Sequence, residues 1–461
     1  MDWANKSVLT LGLGETGLSL VRWLSAQGAT LRVADSRNAP PGLDTLRAEF
    51  PTLDIRCGVF RAELLEGMDL VAISPGVPVA EPVVQRALAD KLPVVGDIEL
   101  LAQQIDAEDP LHPKVIAITG ANGKTTVTSM VGAMCKAVGL DVEVAGNISP
   151  AVLDVLLARG GRHPQLWVLE LSSFQLETTS SLDADAATVL NISEDHLDRY
   201  ADMDEYIAAK ARIFRSKGQR GIQVLNRDDA DSLGMALRDR MKSTFGLNPP
   251  PTAEDWGIEQ DGADIWLVQG GQRLMKASEL QVRGLHNIAN ALAALALCRA
   301  VGLPMRPLLD ALRNFKGLPH RVELVAEIGG VSYYDDSKGT NVGATVAALQ
   351  GLGQKAVLIA GGDGKGQDFS PLNQAVEHHA RAVVLIGRDA PLIETALQGV
   401  EVSLLRADSL EDAVRQAAKL AEPGDAVLLS PACASFDMFR NYQHRAEVFV
   451  AAVRNLPQGD A

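Results

Sequence analysis

Cysteine is scarce in this chain of 461 residues, which contains only four, Cys57, Cys135, Cys298 and Cys433. They lie far apart, with no C-x-x-C pair and no histidine spacing typical of a zinc site, so we expect reduced thiols. No stretch reaches the roughly 18 uninterrupted apolar residues that a membrane-spanning helix needs. The N-terminal sequence MDWANKSVLTLGLGETG has no cationic region before its apolar run and does not resemble a signal peptide. We therefore expect a cytoplasmic protein without a membrane partner.

An excess of positive charge is also absent, since 43 Lys and Arg residues are outnumbered by 58 Asp and Glu residues. The formal net charge of −15 opposes sequence-independent binding to nucleic acid or to an anionic membrane surface. An anionic ligand must therefore be bound by local features. The composition, 47% hydrophobic and 22% charged, is typical of a folded soluble protein, and the length predicts several domains.

One local feature of this kind is the segment VIAITGANGKTTVTS, in which a β-branched strand runs through a glycine turn into a helix. Gly120 and Gly123 allow backbone amides to turn inward, the helix N-terminus carries a partial positive charge, and Lys124 adds a full one. Thr125 or Thr126 can offer a hydroxyl to Mg²⁺. The spacing G-x-x-G-K-T-T is shorter than the usual P-loop motif. We predict a nucleoside triphosphate site, with an ordinary strand–turn–helix as the alternative.

A second glycine pattern, G-x-G-x-x-G, is formed by Gly12, Gly14 and Gly17 after the first predicted strand, and Asp35 ends the next strand. It indicates a tight turn that lets the backbone approach a phosphate-bearing ligand, with an acid near a ribose or base. We favour a nucleotide or sugar nucleotide over a nicotinamide or flavin cofactor and over simple close packing. Residues 74–76 follow another strand and could meet a pyrophosphate at the same edge.

Strands and helices alternate in three successive segments, which predicts parallel sheets covered by helices and an α/β chain of three domains. The predicted domains are residues 1–109, 110–318 and 319–461. The acidic, proline-bearing residues 104–114 are predicted to form the first linker. The short alternating runs of residues 249–274 predict a small antiparallel excursion.

Further polar side chains follow the later strands. Glu170 ends an apolar strand, where an acid is costly unless it is paired or bound to a cation, so we predict a Mg²⁺ ligand. The cluster Asp195, His196, Asp198 and Arg199 follows the next strand, although a lone histidine is more often structural. The remaining candidates, each of which could instead be a helix cap, a core polar group or a surface turn, are His286, Asn287, Asn290, His320, Arg321, Asp335, Asp336, Ser337, Lys338, Thr340, Asn341, Lys365 and Ser435.

Taken together, these motifs resemble the ATP-dependent Mur ligases of peptidoglycan precursor synthesis. The resemblance is carried, in order, by TGANGKTT, LELSSFQLETTSSL, LNISEDHLDRY, GLHNIANALAALAL, GLPHRVE, DDSKGTNVGAT, GGDGKGQDFS and LLSPACAS, and by GLGETG and ADSR in the first segment. It implies a ligase that adds D-glutamate to UDP-N-acetylmuramoyl-L-alanine through an acyl phosphate, with ATP and Mg²⁺, in a monomer. It also implies a Rossmann-like domain for the UDP substrate, a central P-loop ATPase-type domain, and a Rossmann-like C-terminal domain for the amino acid.

The resemblance implies a role for individual residues. ATP is expected to contact Gly120, Ala121, Asn122, Gly123, Lys124, Thr125, Thr126, Asn287, Asn290, Arg321, Asp336 and Lys338. The UDP substrate is expected to contact Glu15, Thr16, Asp35, Ser36, Arg37, Ser74, Gly76 and Asn147, and the amino acid Asp195, Thr340, Lys365, Ser435 and Tyr442. The expected Mg²⁺ ligands are Thr125, Glu170, His196 and Lys210, the lysine as a carbamate formed from CO₂. The expected catalytic residues are Lys124, His196 and Lys210.

Three other interpretations stay open at this point. Another ligase of the superfamily could add a different amino acid, for example L-glutamate, or extend a folate glutamate tail. A nicotinamide-dependent dehydrogenase could be built on the first glycine pattern, but it leaves TGANGKTT unexplained. A nucleotide-binding switch without chemistry is the third, and formation of an amide product would exclude it.

Overall fold

The computed structural model describes residues 3–108, 112–195, 199–215 and 221–457. Within these ranges the strands form three sheets of five, nine and six strands, which we call the first, second and third units with the helices that cover them. Most neighbouring strands are parallel and are connected through helices, as predicted for an α/β chain. Among the residues that the structure describes, no helix has both the length and the apolar character needed to cross a bilayer.

The first sheet is parallel, with the strand order β3-β2-β1-β4-β5. Its strands are β1 (Ser7–Leu11), β2 (Thr30–Asp35), β3 (Asp54–Cys57), β4 (Leu70–Ile73) and β5 (Val94–Val95). Its helices are α1 (Glu15–Ala26), α2 (Leu43–Glu49), α3 (Pro82–Ala89) and α4 (Asp97–Glu108). The chain leaves β1 toward β2 on one side and reaches β4 on the other. The loops after β1 and β4 therefore border a crevice at the carboxyl edge, where such sheets bind ligands.

The second sheet has the order β14-β13-β12-β11-β10-β9-β6-β8-β7. Its strands are β6 (Lys114–Thr119), β7 (Val142–Gly146), β8 (Leu166–Glu170), β9 (Ala186–Val189), β10 (Ile222–Asn226), β11 (Lys242–Phe245), β12 (Trp256–Asp261), β13 (Asp264–Gln269) and β14 (Gln272–Lys276). Its helices are α5 (Lys124–Ala137), α6 (Val152–Ala158), α7 (Ser173–Glu177), α8 (Met203–Ala211), α9 (Ala230–Gly234), α10 (Leu285–Ala300) and α11 (Met305–Arg313). The last three strands pair antiparallel, which confirms the predicted excursion.

The third sheet has the order β15-β16-β20-β17-β18-β19 and is parallel except for β15. Its strands are β15 (Glu323–Ile328), β16 (Val331–Asp335), β17 (Ala356–Gly361), β18 (Ala380–Ile386), β19 (Ser403–Arg406) and β20 (Ala426–Leu429). Its helices are α12 (Val342–Gly351), α13 (Leu372–His379), α14 (Ala390–Ala396), α15 (Leu410–Leu420) and α16 (Tyr442–Arg454). Asn341 and Asn441 cap α12 and α16 by accepting a backbone N–H, so both helices begin where the polar loops end.

One hydrophobic core is shared by the first two units. Trp23 of α1 and Leu101 of α4 belong to the same buried cluster as Leu169 of β8. The prediction of a linker at residues 104–114 was wrong for 104–108, which complete α4, and for Lys114, which begins β6. The buried side chain of Ile105 continues the apolar face of α4 into this core, and that packing outweighs the acidic composition.

Polar contacts also join the first two units. Gln175 of α7 donates to the carboxylate of Asp97, with Nε2 3.2 Å from Oδ2, and Glu99 accepts the backbone N–H groups of Ser180 and Ser181 at 2.7 and 2.9 Å. Burial raises the pKa of Asp97 to about 6. The third unit has its own cores and meets the second through the site described next.

Candidate active site

The loop between β6 and α5 forms the floor of the site. Gly123 precedes the helix with a φ of 82°, and no side chain caps the first turn of α5, so its backbone N–H groups are open to an anion. A Cβ at Gly123 would lie 2.6 Å from Oδ1 of Asn290, so a larger residue would have to displace that side chain of α10. Asn191, after β9, fixes the loop by accepting the N–H groups of Ala121 and Asn122 at 2.9 and 2.8 Å.

Lys124 lies folded over this loop. Its Nζ donates to the carbonyl oxygens of Gly120 and Ala121 at 2.8 and 2.9 Å. Burial lowers the pKa of Lys124, while the carboxylates of Glu170 and Asp195 oppose that shift. The acceptors that Nζ of Lys124 contacts are neutral carbonyl oxygens, and a phosphate oxygen would be a stronger acceptor in their place.

Glu170 is the last residue of β8 and is buried next to the loop. Asn147 donates to its Oε1 at 2.8 Å, whereas its Oε2 is buried without a hydrogen-bond partner among the described residues. Thr125 lines the same cleft, and its Oγ1 accepts a hydrogen bond from Nη2 of Arg321 at 2.7 Å. Because a buried, unpaired carboxylate oxygen is costly, and because oxygen ligands suit Mg²⁺, these residues fit the predicted metal.

Lys210, on α8, is buried below the loop. Its Nζ donates to the carbonyl oxygen of Gly120 at 3.0 Å and lies 4.6 Å from the centroid of the Tyr206 ring. Burial, reinforced by Lys124, lowers the pKa of Lys210 well below its ordinary value, and Asp195 opposes the shift. His196, predicted as a catalytic residue and metal ligand, lies outside the described residues, as does Asp198.

Eight of the twelve residues predicted for ATP line a cleft of about 340 Å³ between the second and third units, and Ala121, Lys124 and Thr125 line the adjoining cleft described below. Asn122, Gly123 and Thr126 line it from the loop, Asn287 and Asn290 from α10, and Arg321, Asp336 and Lys338 from the start of the third unit. Burial raises the pKa of Asp336 to about 7 although Ser430 donates to it and Arg321 is near. Leu190, Phe245 and Val282 add apolar surface suited to a base. These three residues were not predicted from the sequence, because apolar residues at strand ends and in loops carry no distinguishing pattern.

A second, continuous cleft collects four of the five residues predicted for the amino acid. Asp195, Thr340, Lys365 and Tyr442 line it together with Lys124 and Glu170. Lys365 reaches across from the third unit, with its Nζ 3.2 Å from Oδ1 of Asp195, and Nζ of Lys338 lies 4.0 Å from the Tyr442 ring centroid. Ser435 does not line this cleft; it is buried and accepts the backbone N–H of Phe439 at 2.8 Å in the turn before α16.

The residues predicted for the UDP substrate fall into two groups. Glu15, Thr16, Ser74, Gly76 and Asn147 line the crevice of the first unit, and Asn147 also lines the second cleft.

Asp35, Ser36 and Arg37 are not part of that lining and form a cluster after β2. Oδ2 of Asp35 accepts the N–H of Leu13 at 2.7 Å, and both of its oxygens accept hydrogen bonds from Arg37. Burial alone would raise the pKa of Asp35, but these hydrogen bonds outweigh it and hold the pKa below its ordinary value.

Three family models match successive parts of the chain. They are the Mur ligase MurD-like N-terminal domain over residues 6–96, the Mur ligase middle domain over residues 118–298, and the Mur ligase glutamate ligase domain over residues 320–433. Each match falls within one of the three units, so the order of the family domains is the order of the sheets.

Curated relatives and solved structures agree with these matches. The UDP-N-acetylmuramoylalanine–D-glutamate ligase of Methylobacillus flagellatus is 61% identical over 452 residues, covering 98% of this chain and 97% of that protein. The enzyme of the same name from Nitrosomonas europaea is 59% identical over 457 residues, covering 98% and 97%. The fold is shared with a MurF ligase of Thermotoga maritima in complex with ADP, with a TM-score of 0.61, 15% identity, and coverage of 98% and 99%. This chain belongs to the Mur ligase family.

Proposed function

We propose that this chain is an ATP-dependent ligase that joins D-glutamate to UDP-N-acetylmuramoyl-L-alanine through an acyl phosphate. The observation that carries the proposal is the identity of up to 61%, over 98% of the chain, with enzymes named for that reaction. The geometry supports it, because the two clefts beside the phosphate loop share Arg321 and Lys338, and the second cleft shares Asn147 with the crevice of the first unit.

The first chemical step transfers the γ-phosphoryl group of ATP to the alanyl carboxylate, releasing ADP. Two anions must approach each other, so the main task of the protein is to neutralise charge and hold the reactants in line. Lys124, Arg321 and Lys338 face the cleft and supply positive charge for the phosphates. Asn287 and Asn290 line the adjoining part of the space, where the adenosine is expected.

Thr125 and Glu170 would hold Mg²⁺, together with His196 and a carbamate on Lys210. When bound, the metal supplies further neutralisation of the phosphate oxygens. The free Oε2 of Glu170 supports this assignment on the side of the second unit.

In the second step the amine of D-glutamate attacks the acyl phosphate, loses a proton, and displaces inorganic phosphate to form the amide. Lys365 and Thr340 would bind the glutamate carboxylates, and Asp195 would accept hydrogen bonds from its ammonium group; all three line the second cleft. The contact between Lys365 and Asp195 crosses from the third to the second unit, so the pocket is complete only when the two units meet. Their contact would also exclude water, which otherwise hydrolyses an acyl phosphate.

The carbamate on Lys210 is a finer part of the proposal. A carbamate forms from CO₂ and a neutral amine, and burial lowers the pKa of Lys210 in the direction that favours the neutral form. Lys210→Ala should lose activity and regain part of it with added acetate or formate, whose oxygens replace the carbamate. A ¹³C resonance from the wild-type enzyme in ¹³CO₂-labelled buffer, lost in the variant, would support the modification. Full activity of the variant, or no response to the carboxylates, would contradict it.

The experiment that tests the main proposal measures ADP release with UDP-N-acetylmuramoyl-L-alanine and one amino acid at a time. D-glutamate should support turnover, with a product heavier by one glutamyl residue, while L-glutamate and meso-diaminopimelate should not. Equal turnover with L-glutamate would favour the alternative specificity. ATP consumption without any amide product would contradict the proposed ligase.

A further inference from the structure

The crevice of the first unit is poor in positive charge. Its lining is Glu15, Thr16, Ser74, Pro75, Gly76, Gly146, Asn147, Ser149, Ala151 and Gln175, which includes one carboxylate and no lysine or arginine. Oε1 of Glu15 is already occupied by the Ser149 hydroxyl, which donates at 2.6 Å. A diphosphate that enters this crevice therefore meets the N-terminus of α1, which no side chain caps, and side chains that are neutral apart from Glu15. These groups supply only partial positive charge, so a cation from elsewhere would strengthen binding.

Arg37, which was predicted to contact the UDP substrate, is already paired with a carboxylate. Its Nε and Nη2 donate to the two carboxylate oxygens of Asp35 at 2.8 and 2.7 Å. This bidentate geometry is the strongest that a guanidinium makes with a carboxylate, and the two charges cancel. Neither the crevice lining nor Arg37 therefore offers the diphosphate an unpaired positive charge.

Arg199 supplies a cation from the second unit. Its Nη1 donates to the carbonyl oxygen of Gly76, which lines the crevice, at 3.3 Å. Among the residues that the structure describes, no carboxylate lies within 4.0 Å of its guanidinium, and Glu177 acts on it only through space. Arg199 is therefore a cation beside the substrate loop without an ion-pair partner in the described part of the chain.

The guanidinium of Arg199 is also held in a defined position. Its Cζ lies 4.2 Å from the centroid of the Phe174 ring. Phe174 in turn stacks on Tyr200, with centroids 6.0 Å apart and planes inclined by 19°, and Tyr200 contacts Tyr206 at 5.4 Å. Stacking on a ring fixes the plane of a guanidinium while its edge stays available for hydrogen bonds. A guanidinium held in this way is suited to bind an anion.

We propose that Arg199 binds the diphosphate of the UDP-linked substrate across the boundary between the first two units. The inference rests on the proposed function for the identity of that ligand. Arg199 is a binding residue here. Its guanidinium donates to phosphate oxygens, either in place of the weak hydrogen bond to Gly76 or in addition to it. Its effect is therefore confined to ligands that carry phosphate.

The test compares binding of UDP and of uridine to the intact enzyme by titration calorimetry. Arg199→Gln should weaken UDP binding by about tenfold to a hundredfold, as expected for a charge-assisted hydrogen bond, and leave uridine binding unchanged. The KM for UDP-N-acetylmuramoyl-L-alanine should rise similarly, while the KM for ATP stays the same. Arg199→Lys should lose less because it keeps the charge.

Two control variants make the result specific. Arg306→Gln removes the same charge from an exposed position on α11 and should leave UDP binding unchanged. Phe174→Leu removes the supporting ring and should weaken UDP more than uridine. Unchanged UDP binding by Arg199→Gln, or an equal loss for UDP and uridine, would overturn the assignment. Failure of the wild-type enzyme to form amide would instead contradict the proposed function.

Discussion

Activity should fall as the pH rises past 8, because of Lys338. Burial, followed by the charge of Arg321, lowers the pKa of Lys338 to about 8. In the free enzyme about nine tenths of the molecules would carry the ammonium at pH 7 and about one tenth at pH 9. Because the lysine faces the phosphate cleft, kcat/KM for ATP should fall by about tenfold per pH unit above 8. Bound phosphates favour the ammonium, so the fall in kcat should begin at a higher pH.

The assay is ADP release between pH 6.5 and 10, with the other two substrates saturating. Lys338→Arg should keep substantial activity and move the descending limb to higher pH, since a guanidinium stays charged. Lys355→Arg, at an exposed lysine that donates to the carbonyl oxygen of His378, should leave the profile unchanged. A flat wild-type profile, or an identical descent in Lys338→Arg, would refute the reasoning.

Two further predictions concern the phosphate loop. Lys124→Ala should lower kcat by about a hundredfold to a thousandfold in a folded protein, because it removes a charge aimed at the transferring group; near-normal ADP release would contradict this role. Gly123→Ala should raise the KM for ATP, because the new Cβ would lie 2.6 Å from Oδ1 of Asn290 in a backbone with a φ of 82°. Gly139 has a similar φ of 85° but open space around it. Gly139→Ala should therefore lose about as much stability in thermal unfolding as Gly123→Ala, without a change in the KM for ATP. Equal KM values for the two glycine variants would exclude the steric explanation.

The fold class and the family could be predicted from the sequence because short motifs of neighbouring residues indicate them. Glycines, a lysine and hydroxyl residues after a β-branched strand predict the phosphate loop from about ten neighbouring positions. The fold class, the family and the ligase activity are confirmed by the matches to Mur ligases. The domain boundaries stay predictions, and so do the roles of individual site residues. Most of the described residues predicted to bind ATP or the amino acid line two adjoining clefts.

Other features of the site could not be predicted from the sequence, because they depend on contacts between residues that lie far apart in the chain. Lys210 has the pattern of a surface lysine on a helix, yet it is buried and donates to the carbonyl oxygen of Gly120, 90 positions away in the sequence. Phe245 lines the cleft between the second and third units from the end of a strand, where any apolar residue would have the same sequence pattern. Arg199 was visible as part of a polar cluster, but its position over Phe174 and beside Gly76 appears only when the first two units are packed together.

The core that joins Trp23 and Leu101 to Leu169 has a mechanical consequence. Cutting the chain near residue 110 would split one apolar interior, whereas the connection to the third unit passes through the positive-φ residues Gly317, His320 and Val322 and through polar contacts. We therefore expect the first two units to move as one body relative to the third. We expect the movement that admits and releases reactants to occur at the connection between the second and third units.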